Sequence, residues 1–320
     1  VVQAGFLWNT TAKQFGLKIH EIPAFKLIRS KITANVCSSS LKARQALLFA
    51  RYLAAPSKGQ IYFAKHNFTG VDGDKWEENP ELIVYCGGVN REAVTETLRD
   101  FEKREGCKIV EQFAGCGSLV ANIKAIGMSK AKTAMPDAFL TCDASYMNKV
   151  ETLYQDARDV SSTDIVMLIR KGNPKNLRTL EDLGREDLSI GTTDKKISTL
   201  GDLSWQLLAK AGIAEKIKAN DTWEVTTPTA HELILQMEGH TKLDVALVYL
   251  ANCQNLSKGL YETVPIHDPL AQATQNIAIH KSSSFPDMAG RLVEGITSIR
   301  SKERFLDAGF RWKAKDANAN

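Results

Sequence analysis

From Glu81 onward the chain repeats one arrangement three times: a short apolar run, a loop of small residues, then an amphipathic stretch. Leu82-Ile83-Val84-Tyr85 is stopped by Cys86-Gly87-Gly88. Arg91 to Glu105 follows, with Val94, Leu98 and Phe101 on one face and Gly106 placed as a C-cap. Lys108 to Phe113 is broken by Ala114-Gly115-Cys116-Gly117 and followed by Ser118 to Met128, whose core face is Leu119, Ile123 and Ile126. Ala138 to Thr141 ends at Cys142-Asp143, with a helix expected from Ser145 to about Gln155 and Asp143 as its cap. Strands joined through helices in this way run parallel. A second set follows: a strand at Asp164 to Ile169, another at Leu188 to Ile190, and a helix at Leu200 to Gly212 capped by Ser198 or Thr199. Strands at Trp223 to Val225 and Asp244 to Tyr249 flank a helix at Thr229 to Glu238. The polar turn Lys171 to Lys175 is too short to separate independent domains. The expected fold is α/β and two-lobed, each lobe a mostly parallel sheet flanked by helices.

The end of this arrangement is written twice. Val2-Gln3-Ala4-Gly5-Phe6-Leu7-Trp8 reads like Leu243-Asp244-Val245-Ala246-Leu247-Val248-Tyr249, Pro23 matches Pro265 and Phe68 matches Phe310. Residues 1–78 therefore read as the C-terminal part of an upstream homologous module whose front is missing, and residues 79–320 as a complete module. Within the latter, the first lobe is expected over about 80–160 plus 256–320 and the second over about 161–255. Residues 1–78 should then show a strand, a returning segment at Ile32 to Cys37 and a helix at Leu41 to Leu53, with Phe6, Trp8, Leu47 and Phe49 poorly covered.

Taken in order, the residues from Glu81 to Trp312 resemble the molybdate-binding family of periplasmic solute-binding proteins, the receptors of ABC importers. The resemblance is carried by the strand Leu82–Tyr85 with its small-residue loop, Phe101-Glu102-Lys103-Arg104-Glu105-Gly106, and Gly115-Cys116-Gly117-Ser118-Leu119. It continues through Pro136-Asp137-Ala138, Asp143 with Tyr146-Met147, Arg170 to Pro174, Leu180-Glu181-Asp182-Leu183, Lys210-Ala211-Gly212 and Val248-Tyr249. It implies a fold with the ligand between the lobes, a membrane permease as partner, and a periplasmic or extracellular location, free or membrane-anchored. It implies no cofactor, no enzymatic activity and no nucleic-acid partner; a net charge of +4 agrees with the last.

The resemblance places the ligand site at Gly88 and Val89, Cys116 and Gly117, Ser198 and Thr199, Thr229, and Tyr249. Val89 and Cys116 stand where the family usually has ligand-binding serines. The loops lie beyond the carboxyl ends of parallel strands and open helices, where free backbone N–H groups suit a small oxyanion, molybdate or tungstate first. Cys86, Cys116 and Cys142 each end one of three successive strands, so a soft transition metal held by three thiols, or an organic anion, is the alternative. A cysteine-dependent enzyme using Cys116 as nucleophile stands behind both. The six histidines show no ligand spacing, and Gly115-Cys116-Gly117 lacks the third glycine of a dinucleotide fingerprint.

Overall fold

The computed structural model describes residues 4–37, 39–129, 135–219, 222–239, 242–254, 256 and 259–315, with the side chains of Trp223 and Glu224 left aside. Two compact units are present: Val1–Pro80 with Glu102–Lys108, and Glu81–Phe101 with Ile109–Asn320.

The first unit holds helices Asn9–Gln14, Ala43–Ala54 and Gly59–Lys65 and a 3-10 turn at Pro23–Phe25. Among its described residues before Glu81 there is no strand. Val2 and Gln3, part of the expected strand, lie outside the described residues; residues 4–8 and 32–37 form no ladder. A strand satisfies its backbone only through a neighbour, whereas a helix does so internally. Phe6, Trp8 and Phe49 are exposed and Leu47 is half-buried. The helix Gly59–Lys65 ends at Asn67, which adopts a left-handed φ of 65°, and Phe68 turns back so that its ring meets Phe63 edge-on at 5.8 Å.

Among its described residues the second unit carries ten strands: β1 Glu81–Gly87, β2 Lys108–Ala114, β3 Ala138–Leu140, β4 Tyr154–Arg170, β5 Ile190–Thr193, β6 Trp223–Thr227, β7 Val245–Tyr249, β8 Tyr261–Pro265, β9 Gln272–His280 and β10 Arg311–Trp312. Their order is β2-β1-β3-β9-β4-β7-β5-β6, with β8 and β10 also paired to β4. The crossover units are parallel as expected (β1 with β3, β5 with both β6 and β7). β4, β8, β9 and β10 add antiparallel pairs, which sequence patterning did not place.

The main surprise is β4. The expected helix to Gln155 stops at Asn148, and a 17-residue strand then runs through both lobes. Register shifts at Gln155/Arg158 and Asp159/Ser161 break the two-residue alternation, which hid its first half from periodicity. β4 pairs with β9 as far as Asp164–Gln272 and with β7 from Ile165–Tyr249 onward. The change of partner thus falls between Asp164 and Ile165. β8 pairs with Val166 to Arg170, beside the same stretch of β4 that pairs with β7.

Every residue of β7 is buried. Ala246 and Val248 pack with Val166, Leu168, Leu233, Ile234, Met237 and Leu243 in one core cluster. Each such aliphatic side chain contributes about 1.5–3 kcal/mol on burial. The helix Arg91–Glu105 ends as expected at Gly106, whose φ of +65° favours glycine. At the far end, helices Pro286–Ile296 and Ile299–Asp307 close the unit. Gly309 takes a φ of +81°, and Phe310 packs edge-on against Phe305 at 5.3 Å.

Candidate functional site

Strand ends and helix starts build the site. β1 runs into the turn Gly88–Asn90, β2 through Gly115 into helix Cys116–Met128, and β3 through Thr141-Cys142-Asp143 into helix Ala144–Asn148. The Asp143 carboxylate accepts from the N–H of Ser145, as a cap, and from that of Thr274. From the second lobe come the Thr192-Thr193 end of β5, the start of helix Thr199–Lys210, and Tyr249 at the end of β7.

Glycine makes the close approaches possible. A Cβ on Gly87 would overlap the Cys142 sulfur and lie 2.9 Å from the Cys116 sulfur. Gly88, by contrast, sits half-buried with room for a Cβ 3.7 Å from the Ala114 carbonyl oxygen, so the crowded position is Gly87. Cβ atoms on Gly115 and Gly117 would run into the backbone of Lys196 and Ile197 in the second lobe. There the Ser118 N–H donates to the Ile197 carbonyl at 3.2 Å. A second bridge forms where Tyr146 Oη donates to Asp202 Oδ2 at 3.1 Å, with Lys149 Nζ 3.6 Å from the same carboxylate. The two lobes are thus shut against each other at this rim.

Inside the rim the groups are neutral. Cys116, Cys142, Val89, Ser198, Thr199, Tyr146 and Tyr249 are all buried. Among the described residues the buried Arg, Lys and His side chains are Arg51 and His280, neither in these loops. Burial pushes the Tyr249 phenol well above its ordinary range, with Cys142, Asp143, Cys116 and Tyr146 adding to the effect. Burial likewise raises the Cys116 thiol, while Cys142 is lowered because the Cys116 S–H is aimed at it. Four polar atoms here are buried without a hydrogen-bond partner: Asn90 Oδ1, Thr192 Oγ1, Thr193 Oγ1 and Tyr249 Oη; the Thr199 hydroxyl is taken up by the Cys116 and Cys142 thiols. Leaving such a group unsatisfied costs about 1–3 kcal/mol.

Of the residues expected from the sequence, the structure gathers Val89, Cys116, Gly117, Ser198, Thr199 and Tyr249, joined by Cys142. Thr229 is not a free donor. Its N–H and hydroxyl both point at the Glu232 carboxylate, and its oxygen accepts from the Glu232 N–H, closing a capping box on its own helix. Cys86 makes no sulfur contact like that of Cys116 with Cys142: successive residues of β1 face opposite sides, and Cys86 feels Glu111, Cys142 and Arg91 only through their charge. No three of the described His, Cys, Asp and Glu side chains are grouped to hold a metal ion. Sequence reasoning passed over Asn90, whose amide donates to the Thr141 carbonyl at 3.0 Å and leaves its oxygen facing inward. Its one signal was position, immediately before the helix at Arg91, and that reads as an ordinary cap.

Two α/β lobes that share a shut, neutral, hydroxyl-lined cleft define a solute-binding receptor fold. The family model for bacterial extracellular solute-binding proteins matches residues 82–311, and the chain belongs to that family. A Haemophilus influenzae binding protein is 22% identical over 233 residues, 72% of this chain and 90% of its own length. The Azotobacter vinelandii periplasmic molybdate-binding protein superposes with a TM-score of 0.58 at 16% identity, over 72% of this chain and 99% of that one. Iron-bound HitA of Pseudomonas aeruginosa does so with 0.59 at 17% identity, over 74% and 89%. These likenesses fix the fold, and two such different ligands on it leave the choice of solute to the side chains.

Proposed function

We propose that this chain captures a small oxyanion, molybdate or tungstate first, by closure of its two lobes and delivers it to an ABC permease from the periplasmic or extracellular side. The observation that carries this reading is the set of partnerless buried polar atoms from both lobes, above all Asn90 Oδ1 and Tyr249 Oη, among loops without a buried cation. Hydroxyls and helix-start N–H groups can hold a tetrahedral anion by neutral dipoles, without burying an unpaired Lys or Arg. Only an occupied cleft satisfies both lobes at once, so occupancy holds the lobes shut.

The first 78 residues belong to the same reading as the tail of an upstream copy. Supporting it, Phe63, Asn67 and Phe68 stand at one constant offset, 242, from Phe305, Gly309 and Phe310 (310 − 68), and both sets end a helix in the same left-handed, ring-on-ring manner.

Separate thermal-shift series with molybdate, tungstate, sulfate and zinc test the ligand. A ligand at a hundred times its dissociation constant stabilises the folded state by about 2.7 kcal/mol. Molybdate and tungstate should raise the melting midpoint by several degrees. A rise with zinc alone would overturn the oxyanion reading in favour of a thiol-bound metal.

A further inference from the structure

We propose that Cys116 and Cys142 form a modification site: they close into a reversible disulfide inside the cleft, and closing it weakens oxyanion binding. The second half of this statement rests on the reading above; the first does not. The two sulfurs lie 3.1 Å apart as free thiols, and the Cys142 N–H also reaches the Cys116 sulfur at 3.0 Å. Both backbones are already drawn together by Gly87, where any side chain would collide with the pair. Little chain movement therefore separates the reduced from the linked form. The remaining four cysteines show no such pairing: Cys37 is exposed, Cys107 and Cys253 are half-buried, and Cys86 feels Glu111, Cys142 and Arg91 only through their charge.

The oxidant is a low-molecular-weight disulfide of the glutathione type, the kind of partner available in oxidising compartments. The Cys142 thiolate attacks one sulfur of that disulfide, whose S–S bond breaks; one thiol leaves, taking up a proton. Cys116, losing its proton, then attacks the Cys142 sulfur of the mixed disulfide and expels the second thiol. Two protein thiols are oxidised and one external disulfide is reduced to two thiols. Cys116 and Cys142 are only 0% and 4% exposed with the lobes shut, so the exchange requires opening, and a bound anion that keeps the lobes closed protects the pair. Once linked, the start of helix Cys116–Met128 is tied to the end of β3, so a helix-start N–H loses its reach to the anion.

The full chain is incubated with oxidised glutathione or with dithiothreitol, remaining thiols are alkylated after denaturation, and peptides are mapped by mass spectrometry. After oxidation, the peptides containing Cys116 and Cys142 should be joined while Cys86 is alkylated; after reduction all three should be alkylated. Saturating molybdate should slow the joining, and the oxidised chain should bind molybdate about tenfold more weakly, the scale of one lost donor to a charged group. Alkylation of both cysteines after oxidant, or their joining to other cysteines, would overturn the site. A joined pair with unchanged molybdate and tungstate affinity would overturn the gating. So would an oxidant effect that persists in Cys116→Ala or, should that variant not fold, in Cys142→Ala. A joined pair in a chain that binds neither anion in either state would sink the oxyanion reading and leave the modification site standing.

Discussion

Phe6 and Leu247 occupy matching places in two stretches that read alike, and they meet opposite fates. Leu247 is fully buried in the middle of β7, between β4 and β5, while Phe6 is 82% exposed on a segment with no ladder. Two residues on, Tyr249 is buried and Trp8 exposed. The helices tell the other half. Ala43–Ala54 and Pro286–Ile296 both form, and both are followed by a helix that ends in a left-handed residue and an edge-on phenylalanine pair. Helices form among residues 4–80 where no ladder does, because helical hydrogen bonds are local and those of a strand need a neighbour.

The sharpest way to break this contrast is a pair of truncations at the matching residues. Leu247→Ala should cost about 2–5 kcal/mol, the range for emptying a tightly packed aliphatic site. Phe6→Ala should stay within about 0.5 kcal/mol. Urea unfolding followed by circular dichroism reads both. Equal costs would mean that residues 4–8 are as well packed as β7.

A smaller effect is expected two residues further along. Tyr249→Phe removes a buried, unpartnered hydroxyl, so the ligand-free protein should gain about 1 kcal/mol while molybdate binding weakens by about 1.5–3 kcal/mol. Trp8→Phe should change neither. Calorimetric titration alongside thermal melts separates the two effects, and an unchanged molybdate dissociation constant would remove Tyr249 from the anion's shell.

The smallest effect concerns β10, whose counterpart just after Phe68 forms no strand. Arg311 grips both oxygens of Asp164 at 2.6 Å, and this bond holds the Asp164 carboxyl below the usual carboxylate range. A folded-state value below the unfolded one means the stabilisation is complete above about pH 4 and is lost as pH falls through the folded value. Asp164→Asn should therefore cost about 0.5 kcal/mol at neutral pH, the pair being about a third to a half exposed and screened, and nothing at low pH. A difference that grows on acidification would contradict the assignment.

The contrast also shows what the sequence could and could not carry. Helix Arg91–Glu105, its Gly106 cap and strands β1, β2 and β7 were legible because apolar spacing and stop residues are local. β4 was half-hidden, since its bulged first part, Tyr154 to Ser161, mixes exposed charges into a paired strand. The small-residue loop put Cys116 and Gly117 at a strand end that opens a helix, and the structure has them there. Thr229 shows the ambiguity of such positions, because a hydroxyl at a helix start serves the helix as readily as a ligand. The adjacency of Cys116 to Cys142, and the crowding at Gly87, depend on how two crossovers stack, which no spacing along the chain records.

β4 changes partners at one point, leaving β9 after Asp164 and joining β7 from Ile165, directly opposite Tyr249. Any rotation that keeps both ladders intact must use that point as its axis, and displacement grows with distance from an axis. Tyr249 is therefore the cleft group that travels least, whereas Cys116, Gly117 and Ile197 sit on the swinging rims. On the proposed reading the phenol stays where it is as the receptor opens, a fixed post for the solute between two moving loops.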